Sequence, residues 1–152
     1  MTGNRGDGGP PVSGWAKLVA EILVRDIETS STFWQNMLGF RIAYKRPEQH
    51  FVYLERPEGA QIMLCQRSGK WETAPLDLPY GRGVMFQVYV ENIEPVLMAL
   101  TGVAWPLHAG PREVWRRVGD HEEGQREVFV QDPDGYLVMV AHDLGRRPPP
   151  GE

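Results

Sequence analysis

The chain has 152 residues, of which 41% are hydrophobic and 24% are charged, so it fits one globular domain or two small halves that share a core. Its net charge of −4 argues against a nucleic-acid partner, and no apolar run is long enough to cross a bilayer. A single cysteine, Cys65, excludes a disulfide framework, and with the lack of an N-terminal apolar segment it predicts a cytoplasmic protein.

The N-terminal part of the chain predicts an arm, a strand and a helix. Residues 1–15 are rich in glycine and proline and are expected to form a disordered arm. Residues 17–24 are mostly apolar and alternate between two faces, which is typical of a strand. Asp26 is well placed to cap a helix with apolar residues at helical spacing, and Gly39 is well placed to end it.

Two hairpin turns in different parts of the chain have closely similar sequences. Residues 56–59 read Arg-Pro-Glu-Gly and residues 132–135 read Asp-Pro-Asp-Gly, each between two strand-like runs. Residues 24–28 and 90–94 form a second similar pair, in which a strand reaches Asp or Asn and a helical pattern begins. The chain is therefore predicted to be a tandem duplication of one strand–helix–three-strand unit.

The second unit is predicted to follow the same order of elements. Residues 84–90 form its first strand, Asn92 caps its helix and Gly102 ends that helix. Residues 105–118 form a strand that is interrupted by Gly-Pro, and residues 119–124 form an acidic loop before the closing hairpin.

These patterns divide the chain into segments. We place the first unit at residues 16–66, the linker at residues 67–83 and the second unit at residues 84–142. The linker is longer than a plain connection needs, so it is either a crossover between the halves or a flap over a cleft with Trp71 as a stacking surface. Residues 143–152 are expected to form a disordered tail.

Three short motifs stand out: Asp26 before a helix with Phe33-Trp34, then Leu38-Gly39-Phe40, and Asp132-Pro133-Asp134-Gly135-Tyr136 before the last strand. Together they resemble the vicinal oxygen chelate superfamily, which includes glyoxalase I, bleomycin-resistance proteins, fosfomycin-resistance enzymes and extradiol dioxygenases. The resemblance covers residues 16–142. It implies an α+β fold of two tandem βαβββ units, whose curled mixed sheets surround a concave ligand cleft, and it implies a homodimer.

The resemblance also implies where a divalent metal ion would bind, on the first and last strands of each unit. Matching the motifs assigns these positions to Val19, Met63, Met85 and Met139. Valine has no donor atom, and a thioether is a poor ligand for Zn²⁺, Ni²⁺, Fe²⁺ or Mn²⁺. We therefore expect no metal cofactor and no catalytic residues, and the chain resembles most closely the metal-free members of the bleomycin-resistance type.

The predicted ligand-binding residues are cleft-facing strand residues and nearby aromatic residues. They are Glu21, Tyr53, Met63, Cys65, Trp71, Met85, Gln87, Trp115 and Met139. Most are apolar, as in a small-molecule pocket. Glu21 either binds a cationic or hydrogen-bond-donating ligand or pairs with an arginine such as Arg126, and Trp115 either stacks on the ligand or packs in the core. Cys65 is interpreted as an apolar residue and not as a nucleophile.

The sequence predicts a protein that binds a small molecule and sequesters it, as a defence against a drug or in handling a metabolite. We expect a homodimer without nucleic-acid or membrane partners. The alternative is a metal-dependent lyase or dioxygenase with relocated ligands, for which His108, His121 and Glu122 are the candidates. A third interpretation is an interaction module whose cleft is filled by its own methionines.

Overall fold

The computed structural model describes residues 8–151, and its elements follow the predicted repeat. The first unit consists of β1 (Ala20–Val24), α1 (Ile27–Asn36), β2 (Arg41–Arg46), a 3₁₀ turn (Pro47–Gln49), β3 (Phe51–Glu55) and β4 (Gln61–Gln66). The second consists of β5 (Met85–Tyr89), α2 (Glu94–Gly102), β6 (Leu107–Val118), β7 (His121–Gln131) and β8 (Leu137–Arg147). The prediction of an α+β fold built from two tandem βαβββ units is confirmed.

Each unit contributes one four-stranded mixed sheet, and the two sheets have the same topology. The strand orders are β1-β4-β3-β2 and β5-β8-β7-β6. The first strand of each unit is parallel to its last strand, and the other pairs are antiparallel. In this register Glu21 lies beside Met63, and Gln87 lies beside Met139.

Alternation along the strands gives each sheet one face in the core and one face turned away from the helices. One continuous core contains Ile22, Val24, Val52, Leu54, Ile62 and Leu64 from the first sheet and Val88, Val128, Val130, Val138 and Val140 from the second. The same core contains Phe33 and Trp34 of α1 and Val96 and Leu100 of α2. Successive side chains of a strand point to opposite sides, so each sheet has a second face that is turned away from the core. We call this second face the concave face of the sheet.

The two helices begin in the same way, which supports the duplication. The N–H of Ile27 donates to Gln66 Oε1 (3.0 Å), and the N–H of Ile93 donates to His142 Nδ1 (2.9 Å). Both acceptors stand at the same place on the last strand of their units. Each satisfies one of the N–H groups that a helix leaves without a partner in its first turn. Asp26 is the N-cap residue of α1, but its side chain accepts the hydroxyl of Thr29 (2.6 Å) and caps no backbone N–H.

The two units contact each other through their hairpin turns in a reciprocal way. Asp134 Oδ1, in the second turn, accepts the N–H of Arg25 (3.2 Å) just before α1. Glu58 Oε2, in the first turn, accepts the N–H of Glu91 (2.8 Å) just before α2. The same contact is thus made twice with the units exchanged, so an approximate two-fold axis relates them.

The second turn is the more deeply buried of the two. Asp132 Oδ1 accepts the N–H groups of Asp134 and Tyr136 (both 2.9 Å), and Oδ2 accepts the indole N–H of Trp34 (3.1 Å) from the first unit. Burial raises the pKa of Asp132 to about 6 against these three donors. The Asp-Pro-Asp-Gly sequence therefore joins the two units through its carboxylates.

The ends of the described chain are more ordered than the sequence predicted. Residues 1–7 of the expected arm lie outside the described residues, whereas residues 8–15 lie against the first sheet. The tail prediction was wrong over residues 143–147, which belong to β8. Ion pairs explain this difference, because Arg147 Nε lies 2.8 Å from Glu122 Oε1 on β7. No helix of the described part is long and apolar enough to span a membrane.

Candidate functional site

A pocket of about 660 Å³ lies on the concave face of the first unit. Its lining combines apolar groups with both signs of charge, and it includes Glu21, Leu23, Arg46, Phe51, Cys65, Lys70 and Trp71. Leu23, Cys65, Phe51 and Arg46 form one row across the sheet, because each is the register partner of the next. We call this cavity the first-unit pocket.

The guanidinium group of Arg46 lies over an aromatic ring in this pocket. Its Cζ atom is 3.9 Å from the centroid of Phe51, and its Nε donates to Gln49 Oε1 (2.7 Å). Such stacking holds the guanidinium plane against the ring and leaves the outer N–H groups directed to the surroundings. Arg46 was not predicted from the sequence, although its alternation with Tyr44 on β2 could have indicated it.

Glu21 and Cys65 both line the first-unit pocket, and their role in ligand binding stays a prediction. Glu21 is exposed, and no salt bridge involves it within residues 8–151. The alternative pairing with Arg126 is wrong, because Arg126 pairs with Glu94. Burial and, to a smaller extent, the charge of Glu21 raise the pKa of the Cys65 thiol. This thiol therefore lacks the activation that a nucleophile requires.

The first residues of the linker form one wall of the first-unit pocket, and Arg67 ties this wall to the core. Trp71 is 75% exposed and has a left-handed backbone (φ 65°). Arg67 donates to the hydroxyl of Tyr80 (2.7 Å), and Tyr80 is buried in the shared core. The segment is thus a crossover whose beginning borders a pocket, and its role as a flap with Trp71 as a stacking surface stays a prediction.

Residues 9–16 cross the other half of this concave face, and we call them the strap. The Trp15 indole packs edge-on against Tyr53 (5.4 Å between centroids) and Tyr44 (5.9 Å). The N–H of Val12 donates to both carboxylate oxygens of Glu55 (3.1 and 3.0 Å). Tyr53 is therefore only 2% exposed, so the predicted ligand contact at Tyr53 lies beneath the strap.

The second unit has a separate concave pocket of about 420 Å³. Three predicted residues, Met85, Gln87 and Met139, line it together with Tyr89, Arg116, Val118, Glu123, Gln125 and Phe129. Below it, the fully buried carboxylate of Glu127 pairs with Arg112 (3.0 Å) and Arg116 (2.9 Å). The hydrogen bond from Arg116, followed by that from Arg112, lowers the pKa of Glu127 despite its burial.

The nine predicted ligand-binding residues therefore do not form one site. Glu21, Cys65 and Trp71 line the first-unit pocket, Tyr53 and Met63 are neighbours beside the strap, and three others line the second pocket. Trp115 stands apart: it packs on Arg147 (4.3 Å), and a Cβ atom on Gly124 would lie 2.6 Å from its ring. Trp115 is half-buried and lies outside the core cluster, so the core-packing alternative is wrong.

The residues present do not fit a divalent metal ion. Met63 is half-buried beside Glu21, Met139 is buried beside Gln87, and Val19 lies just before β1. Within the described range, no group of three His, Cys, Asp or Glu side chains could hold an ion. The candidate ligands His121 and Glu122 are instead engaged by neighbours: His121 Nε2 lies 2.7 Å from Glu123, and Glu122 pairs with Arg147.

Comparisons with known proteins agree with this architecture. The model of the Glyoxalase/Bleomycin resistance protein/Dioxygenase superfamily matches residues 17–140. A superfamily member from Vibrio splendidus is 31% identical over 82% of this chain and 95% of its own, with a TM-score of 0.35. No curated protein matches the chain by sequence.

Two further solved structures share the fold. A virulence protein from Salmonella typhimurium is 19% identical, with a TM-score of 0.61 over 84% of this chain and 97% of its own. Lactoylglutathione lyase from Agrobacterium tumefaciens is 18% identical, with a TM-score of 0.54 over 88% of this chain and 95% of its own. At these identities the likeness concerns the fold and not the activity.

Proposed function

Because the chain belongs to the glyoxalase/bleomycin resistance protein/dioxygenase superfamily, we propose that it binds a small organic molecule without a metal ion and sequesters it, in the manner of the bleomycin-resistance type. The observation that carries this proposal is the first-unit pocket of about 660 Å³. Its volume is that of a typical ligand site, and a few polar groups stand among its apolar walls. The ligand is a drug or a metabolite.

The donor chemistry of the chain supports binding without a metal. The four positions where the superfamily resemblance implies ligands are Val19, Met63, Met85 and Met139. None provides the imidazole or carboxylate groups that a Lewis-acidic ion needs. We therefore derive no metal-dependent step, and the alternative of a lyase or dioxygenase with relocated ligands gains no support from the arrangement of the described residues.

The lining of the first-unit pocket indicates which ligand it would bind. Trp71 offers an exposed aromatic surface, and Glu21 offers an exposed carboxylate without an ion-pair partner among residues 8–151. An aromatic ring that carries a cationic or hydrogen-bond-donating group fits this combination, because stacking and a charge-assisted hydrogen bond can form together. The ligand would thus be held by Trp71 on one side and by Glu21 on another.

A homodimer is part of the proposal. β1 and β5 are edge strands, and exposed apolar residues lie on or beside them: Leu18 (91% exposed), Val84 (52%), Met85 (39%) and Tyr89 (52%). Unpaired edges with apolar side chains favour association. A second copy on these edges would bring a second-unit pocket close to a first-unit pocket. Size-exclusion chromatography with light scattering tests this, and a monomer at all concentrations would contradict it.

The binding proposal is tested by a thermal-shift screen of aromatic amines and aromatic acids, followed by calorimetric titration of the best compound. A ligand that binds only the folded state raises Tm. Glu21→Gln and Trp71→Ala are each expected to weaken an amine about tenfold, which is about 1.4 kcal/mol, whereas Met98→Ala on the far side of α2 should not. Dialysis against a chelator should leave Tm unchanged. Unaltered affinity in both pocket variants, or a clear fall in Tm after chelation, would contradict the proposal.

A further inference from the structure

The strap is built into the concave face like a bound ligand. Its Trp15 ring packs on an aromatic surface, and its Val12 N–H donates to a carboxylate. Tyr44 and Tyr53 stack almost in parallel (5.1 Å, 17°), and the Trp15 indole stands edge-on against both rings (75° and 88°). Trp15 nevertheless remains 55% exposed, so its contacts are made at the surface and not in the core.

Glu55 is the polar counterpart of this aromatic surface. Its side chain is 2% exposed and lies on the same face as Tyr53, because residues two apart on a strand share a face. It accepts the Val12 N–H on both oxygens and pairs with Arg41 (3.0 Å). If the strap were withdrawn, a buried carboxylate would lose its only backbone N–H donor from the strap and keep Arg41, and a replacement donor would be favoured.

Gln61 holds the other end of the strap through its side-chain amide. Its Oε1 accepts the N–H of Ala16 (3.0 Å), and its Nε2 donates to the carbonyl of Gly14 (2.6 Å). Further back along the chain, Gly9 donates to the carbonyl of Ala43 (2.9 Å) on β2. The strap is therefore held at a few polar points, and the buried Pro11 and the half-exposed Trp15 lie between them.

The two units differ here, although their sheets have the same topology. In the second unit, Phe129 occupies the position equivalent to Tyr53, and it lines the open second pocket together with Gln87 and Met139. The aromatic surface of the first unit is covered by the N-terminal segment of the chain, whereas the guanidinium of Arg112 lies over Phe129 in the second unit (4.9 Å).

We propose that the surface beneath the strap, formed by Tyr44, Tyr53 and Glu55, is a binding subsite for a flat aromatic ring that carries an amine or another N–H donor, and that Trp15 and Val12 occupy it until such a ligand displaces them. The subsite continues the first-unit pocket, since Tyr53 is the register partner of Met63 and Phe51 of Cys65. Displacement of the strap would enlarge the pocket toward the sheet centre. The strap would then determine which ligands reach this surface.

The test uses the full-length chain and two probes, tryptamine and the neutral 3-methylindole. Trp15→Ala removes the competing ring, so it should bind tryptamine at least tenfold more tightly than the wild type in calorimetric titration. Met98→Ala, which changes an exposed apolar residue of the second unit, is the matched control and should bind like the wild type. In the Trp15→Ala background, Glu55→Gln should weaken tryptamine at least fivefold and leave 3-methylindole within twofold.

Hydrogen exchange distinguishes a strap that a ligand displaces from one that only stabilises the fold. In the second case the ligand would not change the exchange rate of the strap amides. In the wild type, saturating tryptamine should accelerate exchange of the Val12 amide, because displacement breaks its bonds to Glu55. This measurement decides the matter even if the Glu55 variant does not fold. Unchanged Val12 protection at saturation, or an affinity of Trp15→Ala within twofold of the wild type, would overturn the inference.

The inference deepens the proposed function. It rests on one part of it, namely that a small molecule binds at the concave face of the first unit. The two can fail separately. If Trp71→Ala weakens binding and Trp15→Ala has no effect, the subsite is refuted and the first-unit pocket stands. If Trp15→Ala strengthens binding and the pocket variants have no effect, the ligand lies beneath the strap alone.

Discussion

Raising the pH from about 4 to about 6 is expected to reduce the free energy of unfolding through the Asp132 carboxyl. Burial raises its pKa from 3.8 to about 6, and outweighs the hydrogen bonds from Trp34 and from two backbone N–H groups, which favour the charged form. The folded protein therefore keeps this proton to a higher pH than the unfolded chain. The resulting stabilisation is complete below the unfolded value and is lost as the pH rises through the folded value. The full shift corresponds to about 3 kcal/mol.

Asp132→Asn isolates this contribution, because the amide does not titrate and all other groups are common to both proteins. Its oxygen can still accept the N–H groups of Asp134 and Tyr136. The free energy of unfolding is measured by urea denaturation of both proteins at about pH 4.5 and about pH 7.5. Over this interval the wild type should lose about 2 kcal/mol relative to the variant.

The carboxyl ¹³C signal of Asp132 gives a second measure of the same quantity, with a titration midpoint near pH 6. If the difference in the free energy of unfolding between the two proteins did not depend on pH, the three hydrogen-bond donors would fully compensate the effect of burial on the pKa of Asp132. A midpoint below the ordinary 3.8 of an aspartate would lead to the same conclusion. Either result would refute the reasoning, and the inter-unit contact through Trp34 would then be an ordinary charged hydrogen bond.

Two further predictions concern the second unit. Glu127→Gln should lower the free energy of unfolding by about 1–3 kcal/mol at neutral pH, because Arg112 and Arg116 lose their buried counter-charge and are themselves about half exposed. Since these arginines lower the pKa of Glu127, the loss should shrink as the pH falls below the ordinary glutamate value, and a constant loss in urea denaturation would contradict this. His142→Ala should cost about 1 kcal/mol through the N–H of Ile93, whereas His142→Gln should cost less than half of that, because glutamine makes this bond in the first unit. Equal losses in thermal unfolding would show that the bond is not the cause.

The architecture could be predicted from the sequence because its signals are local. The repeated turns at residues 56–59 and 132–135 close with the same bond, from the N–H of the glycine to the first carbonyl of the turn (2.9 Å in both). Turn chemistry and strand alternation depend on residues a few positions apart. Register within each sheet then follows from which face carries apolar side chains.

The site could be predicted only in part because its contacts are distant along the chain. Glycine and proline in residues 8–15 suggested disorder, but Glu55 and Gln61, more than forty positions later, provide the hydrogen bonds that hold this segment. Nothing local to the arm carries that information. The pairing of Glu127 with Arg116 is similarly hidden, since it requires the long β6–β7 hairpin to bring the two together. The sequence also predicted one shared cleft, whereas the chain has two separate pockets, one in each unit.

The two concave faces have diverged while the contacts between the units have been kept, and this difference indicates where recognition occurs. Phe51 on β3 and Glu127 on β7 hold equivalent register positions, beside Cys65 and Ala141 respectively. The carboxylate of Glu127 is already engaged by two arginines, so a ligand cation would have to displace them at a cost of several hydrogen bonds. Phe51 instead supports the guanidinium of Arg46, and the same pocket contains Glu21, whose carboxylate has no ion-pair partner among residues 8–151. A polar aromatic ligand therefore finds its strongest partners in the first unit.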